Sequence, residues 1–106
     1  MGWGTWCKPC IKELPKFNIL AKKYNETSGS KIKFYTLSYN SENLENFMTK
    51  NNYTFPVLEI NDQITKLFKV NGYPTKILIS PDNKYLKIPY GVNWTEYIKN
   101  YALIKN

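Results

Sequence analysis

Cys7 and Cys10 are the only two cysteines in the 106-residue chain, and their Cys-x-x-Cys spacing is its most informative feature. The pair opens a stretch of helical pattern. The first turn of a helix presents unpaired N–H groups and the positive end of the helix dipole. A thiolate there is stabilised, and the thiolate is the reactive species. Cys10, three residues further on, lies on the same helical face and within disulfide reach. Pro9 suits a first turn, where its missing donor had no partner anyway, and Lys8 adds a positive charge. One short segment therefore holds an attacking thiol, a resolving thiol and the field that activates them. The competing readings fit less well. Half of a zinc site would need four ligands, and a second chain or carboxylates would have to complete it. Two inert core cysteines would not normally be flanked by Trp6 and Pro9 at a helix start.

The rest of the composition narrows the chemistry further. The chain has no His, which removes Ser–His and Cys–His triads and all His-ligated metals, so no metal or cofactor is expected. All fifteen basic residues are Lys, and the net charge is +7. Arg, the bidentate reader of phosphate and guanine, is missing, and the lysines are scattered. A solvated Lys-rich surface follows, not a nucleic-acid site. Hydrophobic residues at 42% and charged residues at 22% describe an ordinary globular chain, read as a single domain over residues 1–106. No apolar run reaches eighteen residues, so no membrane span is expected. No leader pattern opens the chain, and a mature secreted form would look the same.

The elements that must position the cysteines read as α-β-α-(short α)-β-β-α. From Cys7, apolar residues recur at Ile11, Leu14, Phe17, Ala21 and Tyr24, giving a helix with a kink expected between Ile11 and Pro15 and an end before Gly29. Lys31–Tyr39 reads as a strand buried on both faces. Ser41 offers an N-cap to a helix over Glu42–Lys50 with Leu44, Phe47 and Met48 inward. Phe55–Leu58 is a short extended piece, and Asp62 caps a short helix through Phe68 with Ile64, Leu67 and Phe68 inward. Asn71–Pro74 is a turn, Thr75–Ser80 a strand, Pro81–Lys84 a hairpin turn and Tyr85–Tyr90 the return strand. Asn93 caps a last helix from Trp94 to about Ile104, with Trp94, Tyr97, Ile98 and Tyr101 inward. Helices interleaved with strands make an α/β layered domain.

The segment Trp3-Gly4-Thr5-Trp6-Cys7-Lys8-Pro9-Cys10, continued through Ile11-Lys12-Glu13-Leu14-Pro15, resembles the active-site segment of the thioredoxin superfamily, in its TlpA/ResA-like branch. Val70-Asn71-Gly72-Tyr73-Pro74-Thr75, with the strand and turn after it, is similar to the family's cis-proline loop and hairpin. The region from Ser38 to Phe47 matches the branch's strand–helix insertion. The resemblance runs from Trp3 to the C-terminus and implies a thioredoxin-like fold, with a mixed sheet flanked by helices. It implies an extracytoplasmic, typically periplasmic, thiol–disulfide oxidoreductase. Cysteine-containing protein substrates, such as apocytochromes c, and a redox partner protein follow. Cys7 is then the nucleophile and Cys10 the buried resolving cysteine. Pro74 is the cis-proline facing the disulfide, so that Tyr73 could pair its main chain with an extended substrate. The bland reading of Tyr73-Pro74 is a trans turn. Glu13 takes the place of a carboxylate seen near the active site, where it could relay protons to Cys10. Equally, it could be a solvated residue beside Lys12 and Lys16. Trp6 and Trp3 either rim the site or belong to the core, Trp3 more readily to the core, and Pro9 joins Trp6, Tyr73 and Pro74 as a substrate-facing candidate.

In that branch a long hydrophobic strand leads into the Trp–Cys segment at the centre of the sheet, and here only Met1-Gly2 precedes Trp3. The usual strand before the motif is therefore expected to be lacking, as is the hairpin that precedes it. Lys31–Tyr39 and Thr75–Ser80 would then face each other across a gap with unpaired main-chain groups, each costing about 1–3 kcal/mol if buried. Direct closure of the two strands or pairing in a homodimer is expected over an open gap. A marginally folded or non-enzymatic fragment is the alternative outcome. A peroxiredoxin shares the fold, but its Pro-x-x-x-Thr/Ser-x-x-Cys pattern and nearby Arg are both missing, which argues against peroxidase chemistry.

Overall fold

Helix α1 (Lys8–Glu26) carries the longest apolar stripe and sets where the core lies. In the computed structural model, residues 1–29, 32–79, 84–89 and 91–105 are described, with side chains as far as Lys99. Cys10, Leu14, Phe17 and Ala21 are the buried positions of α1, spaced four, three and four apart. The helix runs unbroken through Pro15. Beyond its last residue, Gly29 takes a φ of 79°, a left-handed conformation that glycine adopts without a Cβ penalty.

Strand β2 (Thr36–Tyr39) lies at the centre of a parallel sheet, between β1 (Gly2–Trp3) and β3 (Val57–Ile60). Gly2 pairs with Leu37 and Trp3 with Ser38, while Thr36–Tyr39 runs in register with Val57–Ile60. The strand was expected from Lys31, which lies outside the described residues, but the ladder starts only at Thr36. Upstream, the side chain of Asn25 replaces a neighbouring strand. Its Oδ1 accepts from Phe34 N at 2.7 Å and its Nδ2 donates to Phe34 O at 3.0 Å. The extended piece near Phe55 is a true ladder strand shifted two residues on, because β2 offers it a parallel partner.

Strands β4 (Lys76–Ile79) and β5 (Tyr85–Ile88) form the expected antiparallel hairpin, pairing Leu78 with Leu86 and Ile79 with Tyr85. Residues 80–83, the end of the expected strand and most of its turn, lie outside the described residues, as does Tyr90. The two sheets meet at Gly2. Its N donates to Thr75 O at 2.7 Å, and Thr75 N returns a bond to Gly2 O at 3.2 Å. On the other side, Leu37 N donates to Met1 O at 2.9 Å. A two-residue strand thus occupies the place where a gap was expected. β2 and β4 do not close on each other, because the main chain of Met1–Trp3 runs between them and is hydrogen-bonded to both sides. The α/β class with mixed pairing stands.

Helices α2 (Leu44–Lys50), α3 (Asp62–Leu67) and α4 (Trp94–Lys105) pack around these sheets. Ser41 does not cap α2. Its hydroxyl is taken by Thr5 N at 3.0 Å and by Ser38 Oγ, and Asn43 in a left-handed conformation precedes the helix without a side-chain cap. Asn61 caps α3 through Gln63 N and Ile64 N, which makes Asp62 the first helical residue, not the cap. Leu67, expected inward, is 69% exposed, and Phe68 instead meets Tyr85 edge-on. Asn93 caps α4 as expected, accepting from Glu96 N and Thr95 Oγ1. Trp94 and Ile98 are buried as expected, and the side chain of Tyr101 lies outside the described residues. Phe17 is the hub of the core, with ring contacts to Phe34, Phe55 and Trp94. Trp3, fully buried, packs on Phe47 and Phe55.

Candidate active site

Strand β1 delivers the chain to the helix start across four residues, Gly4 to Cys7. Trp3 anchors the end of β1 in the core, the chain turns at Gly4, and Cys7 N donates to Gly4 O at 3.0 Å. Cys7 is the N-cap of α1, with extended backbone, and its Sγ accepts the Cys10 N–H at 3.3 Å. A sulfur in that position receives the orphan donors and the positive field of the first turn. Cys7 and Cys10 are joined as a disulfide with Cα atoms 5.2 Å apart. Cys7 is 4% exposed and Cys10 is fully buried. Lys8 and Pro9 form the exposed outer side of this turn.

An aromatic tier lies beside the turn. Trp6 is half exposed, donates its Nε1–H to Tyr39 O at 2.9 Å and meets Tyr73 edge-on at 5.6 Å. Tyr39 stacks on Tyr73 at 5.7 Å and donates its hydroxyl to Asp62 Oδ1. Two glycines make room for the tier. A Cβ on Gly2 would come within 3.1 Å of the Tyr73 ring, and one on Gly4 within 2.4 Å of Trp6 Nε1. The Tyr73–Pro74 bond is cis, and Pro74 is buried. The Tyr73 side chain does not point outward. It folds back between Trp6 and Tyr39, and its hydroxyl is buried without a partner among the described residues. Burial first, then Tyr39 and Asp62, push the Tyr73 phenol above its usual pKa.

Glu13 is half-buried on α1. Its carboxylate forms an ion pair with Lys76 of β4 at 2.7 Å, with the glutamate side chain 28% exposed and the lysine 13%. Sequence reasoning missed Lys76, Tyr39 and Asp62. Lys76 had one usable signal, as the lone cation in the apolar run Lys76-Ile77-Leu78-Ile79 directly after the proline loop. A concavity of about 380 Å³ lies elsewhere, between Thr5 and α2, and includes neither cysteine. Among the described residues no cluster of His, Cys, Asp or Glu could hold a metal ion.

Gly4 gives a direct test of the tier. Gly4→Ala must push the Trp6 indole off its seat and break its bond to Tyr39, at a cost of about 1–3 kcal/mol. The Trp6 indole N–H should then lose its hydrogen-exchange protection in NMR spectra. Retained protection would show that the tier tolerates the methyl group.

The fold matches a solved thiol:disulfide interchange protein of the thioredoxin family from Chlorobium tepidum, with a TM-score of 0.77 and 20% identity over 95% of this chain and 76% of that one. The architecture is thus thioredoxin-like. The AhpC/TSA family model matches residues 1–87, and the chain belongs to that family. Among curated proteins, the chain is 36% identical to the thiol-disulfide oxidoreductase ResA of Geobacillus thermodenitrificans over 93% of its own length and 57% of the relative's. It is 32% identical to ResA of Bacillus subtilis over 97% of its length and 58% of the relative's. The chain therefore spans a little over half the length of these relatives. Among the described residues no helix is long and apolar enough to cross a membrane.

Proposed function

We propose that this chain exchanges electrons with cysteines of other proteins through the Cys7–Cys10 dithiol/disulfide. The observation that carries the reading is the disulfide at the N-cap of α1, with one sulfur at the helix end and the other fully enclosed. In the reducing direction, the Cys7 thiolate attacks one sulfur of a substrate disulfide and expels the other as a thiolate. The resulting mixed disulfide is attacked by the Cys10 thiolate at Cys7 Sγ, which releases the second substrate sulfur. Two electrons have then passed to the substrate, and the protein is left as the Cys7–Cys10 disulfide. A partner dithiol protein restores it by the same steps in reverse.

Trp6, Pro9, Tyr73 and Pro74 serve as the surface on which an extended substrate segment lies, with the aromatic tier excluding water from the attacked bond. The relatives' names and the disulfide seated at the start of α1 support this reading. By the same likeness the chain works outside the cytoplasm, on exported proteins. The testing experiment is turnover of insulin disulfides with dithiothreitol as reductant, run beside consumption of hydrogen peroxide. Insulin reduction above the uncatalysed rate, without peroxide consumption, is the expected result. Peroxide consumption without disulfide reduction would overturn the reading in favour of a peroxidase.

A further inference from the structure

The cysteine turn has a negative neighbour. Glu13 follows Cys10 by three residues on α1, and side chains so spaced are neighbours on a helix, with Cβ atoms about 5–6 Å apart. A carboxylate near a thiol disfavours the thiolate. Left alone, Glu13 would work against the field that the helix end supplies. Lys76 answers it from another element. Its Nζ lies 2.7 Å from Glu13 Oε2 and 5.5 Å from the Trp94 ring centroid, and its side chain is 13% exposed. A lysine drawn this far inward is held on one side by the carboxylate and on the other by a ring face.

We propose that Lys76 is a positioning residue that holds the Glu13 carboxylate against β4 and cancels its charge, so that thiolates form at Cys7 and Cys10 without opposition from it. This rests on the thiol-exchange reading above. The other charges around the pair do not do this work. Lys8, Lys12 and Lys16 on α1 are exposed and screened by solvent. Lys33, which lines the same crevice as Lys76, is engaged by Asn25 O at 3.3 Å. The Met1 amino group donates to Tyr35 O at 2.8 Å, and burial first and Lys76 second hold it down to about 5. Tyr73 is held protonated by burial, and the α4 and β5 faces of the crevice present Trp94, Ile98 and Ile88.

The test is the pH dependence of Cys7 alkylation by iodoacetamide in the reduced full chain. Lys76→Met leaves Glu13 unopposed and should move the alkylation midpoint upward by about half to one pH unit. Glu13→Gln leaves Lys76 unopposed and should move it downward. Lys76→Met with Glu13→Gln should return it to within a few tenths of the parent value, and Lys76→Arg should not move it. A purely structural ion pair would lower the melting temperature of these variants and leave every midpoint in place, which overturns the proposal. If Lys76→Met fails to fold, Glu13→Gln decides alone, and an unchanged or raised midpoint there overturns it. The titration reads the thiol and not turnover, so a parent protein that fails to reduce insulin would remove the exchange reading without blurring this result.

Discussion

Replacing Cys7 by serine should abolish insulin reduction, while replacing Cys10 by serine should trap the protein on its substrate as a mixed disulfide. The asymmetry follows from position. Cys7 Sγ stands at the N-cap, where the Cys10 N–H and the dipole of α1 favour its thiolate. Cys10 is fully enclosed against the core and can attack only a sulfur already bound to Cys7. Without Cys7 no first bond forms. Without Cys10 the first bond forms and nothing resolves it. In the reduced protein Cys7 should also alkylate first. Both outcomes are read by mass spectrometry of the trapped species. Faster alkylation of Cys10, or mixed disulfides accumulating in the Cys7→Ser variant, would reverse the two roles.

The second large effect lies in the core under the site. Trp3→Ala should cost about 3–5 kcal/mol, a large part of the ~5–15 kcal/mol that holds a small domain together. Trp3 is fully buried between Phe47 and Phe55, and it fixes the end of the two-residue strand that joins the two sheets. At roughly 4–8 °C per kcal/mol for a domain near this size, the melting temperature should fall by at least about 12 °C. Trp3→Phe should cost much less, because it keeps a ring and deletes a buried Nε1–H that has no partner among the described residues. Thermal denaturation of the two variants checks the pair. A Trp3→Ala protein melting within a few degrees of the parent would show that β1 does not hold the sheets together.

What could be read from the sequence was whatever repeats or clusters locally. The stripe of α1 has a period, the hairpin has apolar runs either side of turn residues, and Cys7 and Cys10 are three residues apart. Strand β1 is two residues long and has no period to find, so its place looked empty. The ladder of β2 begins later than its apolar run because the Asn25 side chain, from α1, satisfies Phe34's main chain. Ser41 has a capping residue's identity, but Thr5 and Ser38 claim its hydroxyl from elsewhere in the chain. Glu13 and Lys76 lie 63 residues apart, and no spacing rule links positions so distant. In each case a tertiary partner decided the outcome, and local pattern carries no record of it.

The central claim is that Cys7 and Cys10 cycle together as one two-electron couple. Equilibration of the full chain across a series of reduced to oxidised glutathione ratios, quenched by acid and read by alkylation and mass, tests this most directly. A single transition between the free dithiol and the Cys7–Cys10 disulfide is expected, at a potential in the roughly −120 to −270 mV span of thioredoxin-like proteins. A stable glutathione adduct on Cys7 with Cys10 left free, or a disulfide that no ratio reduces, would contradict it.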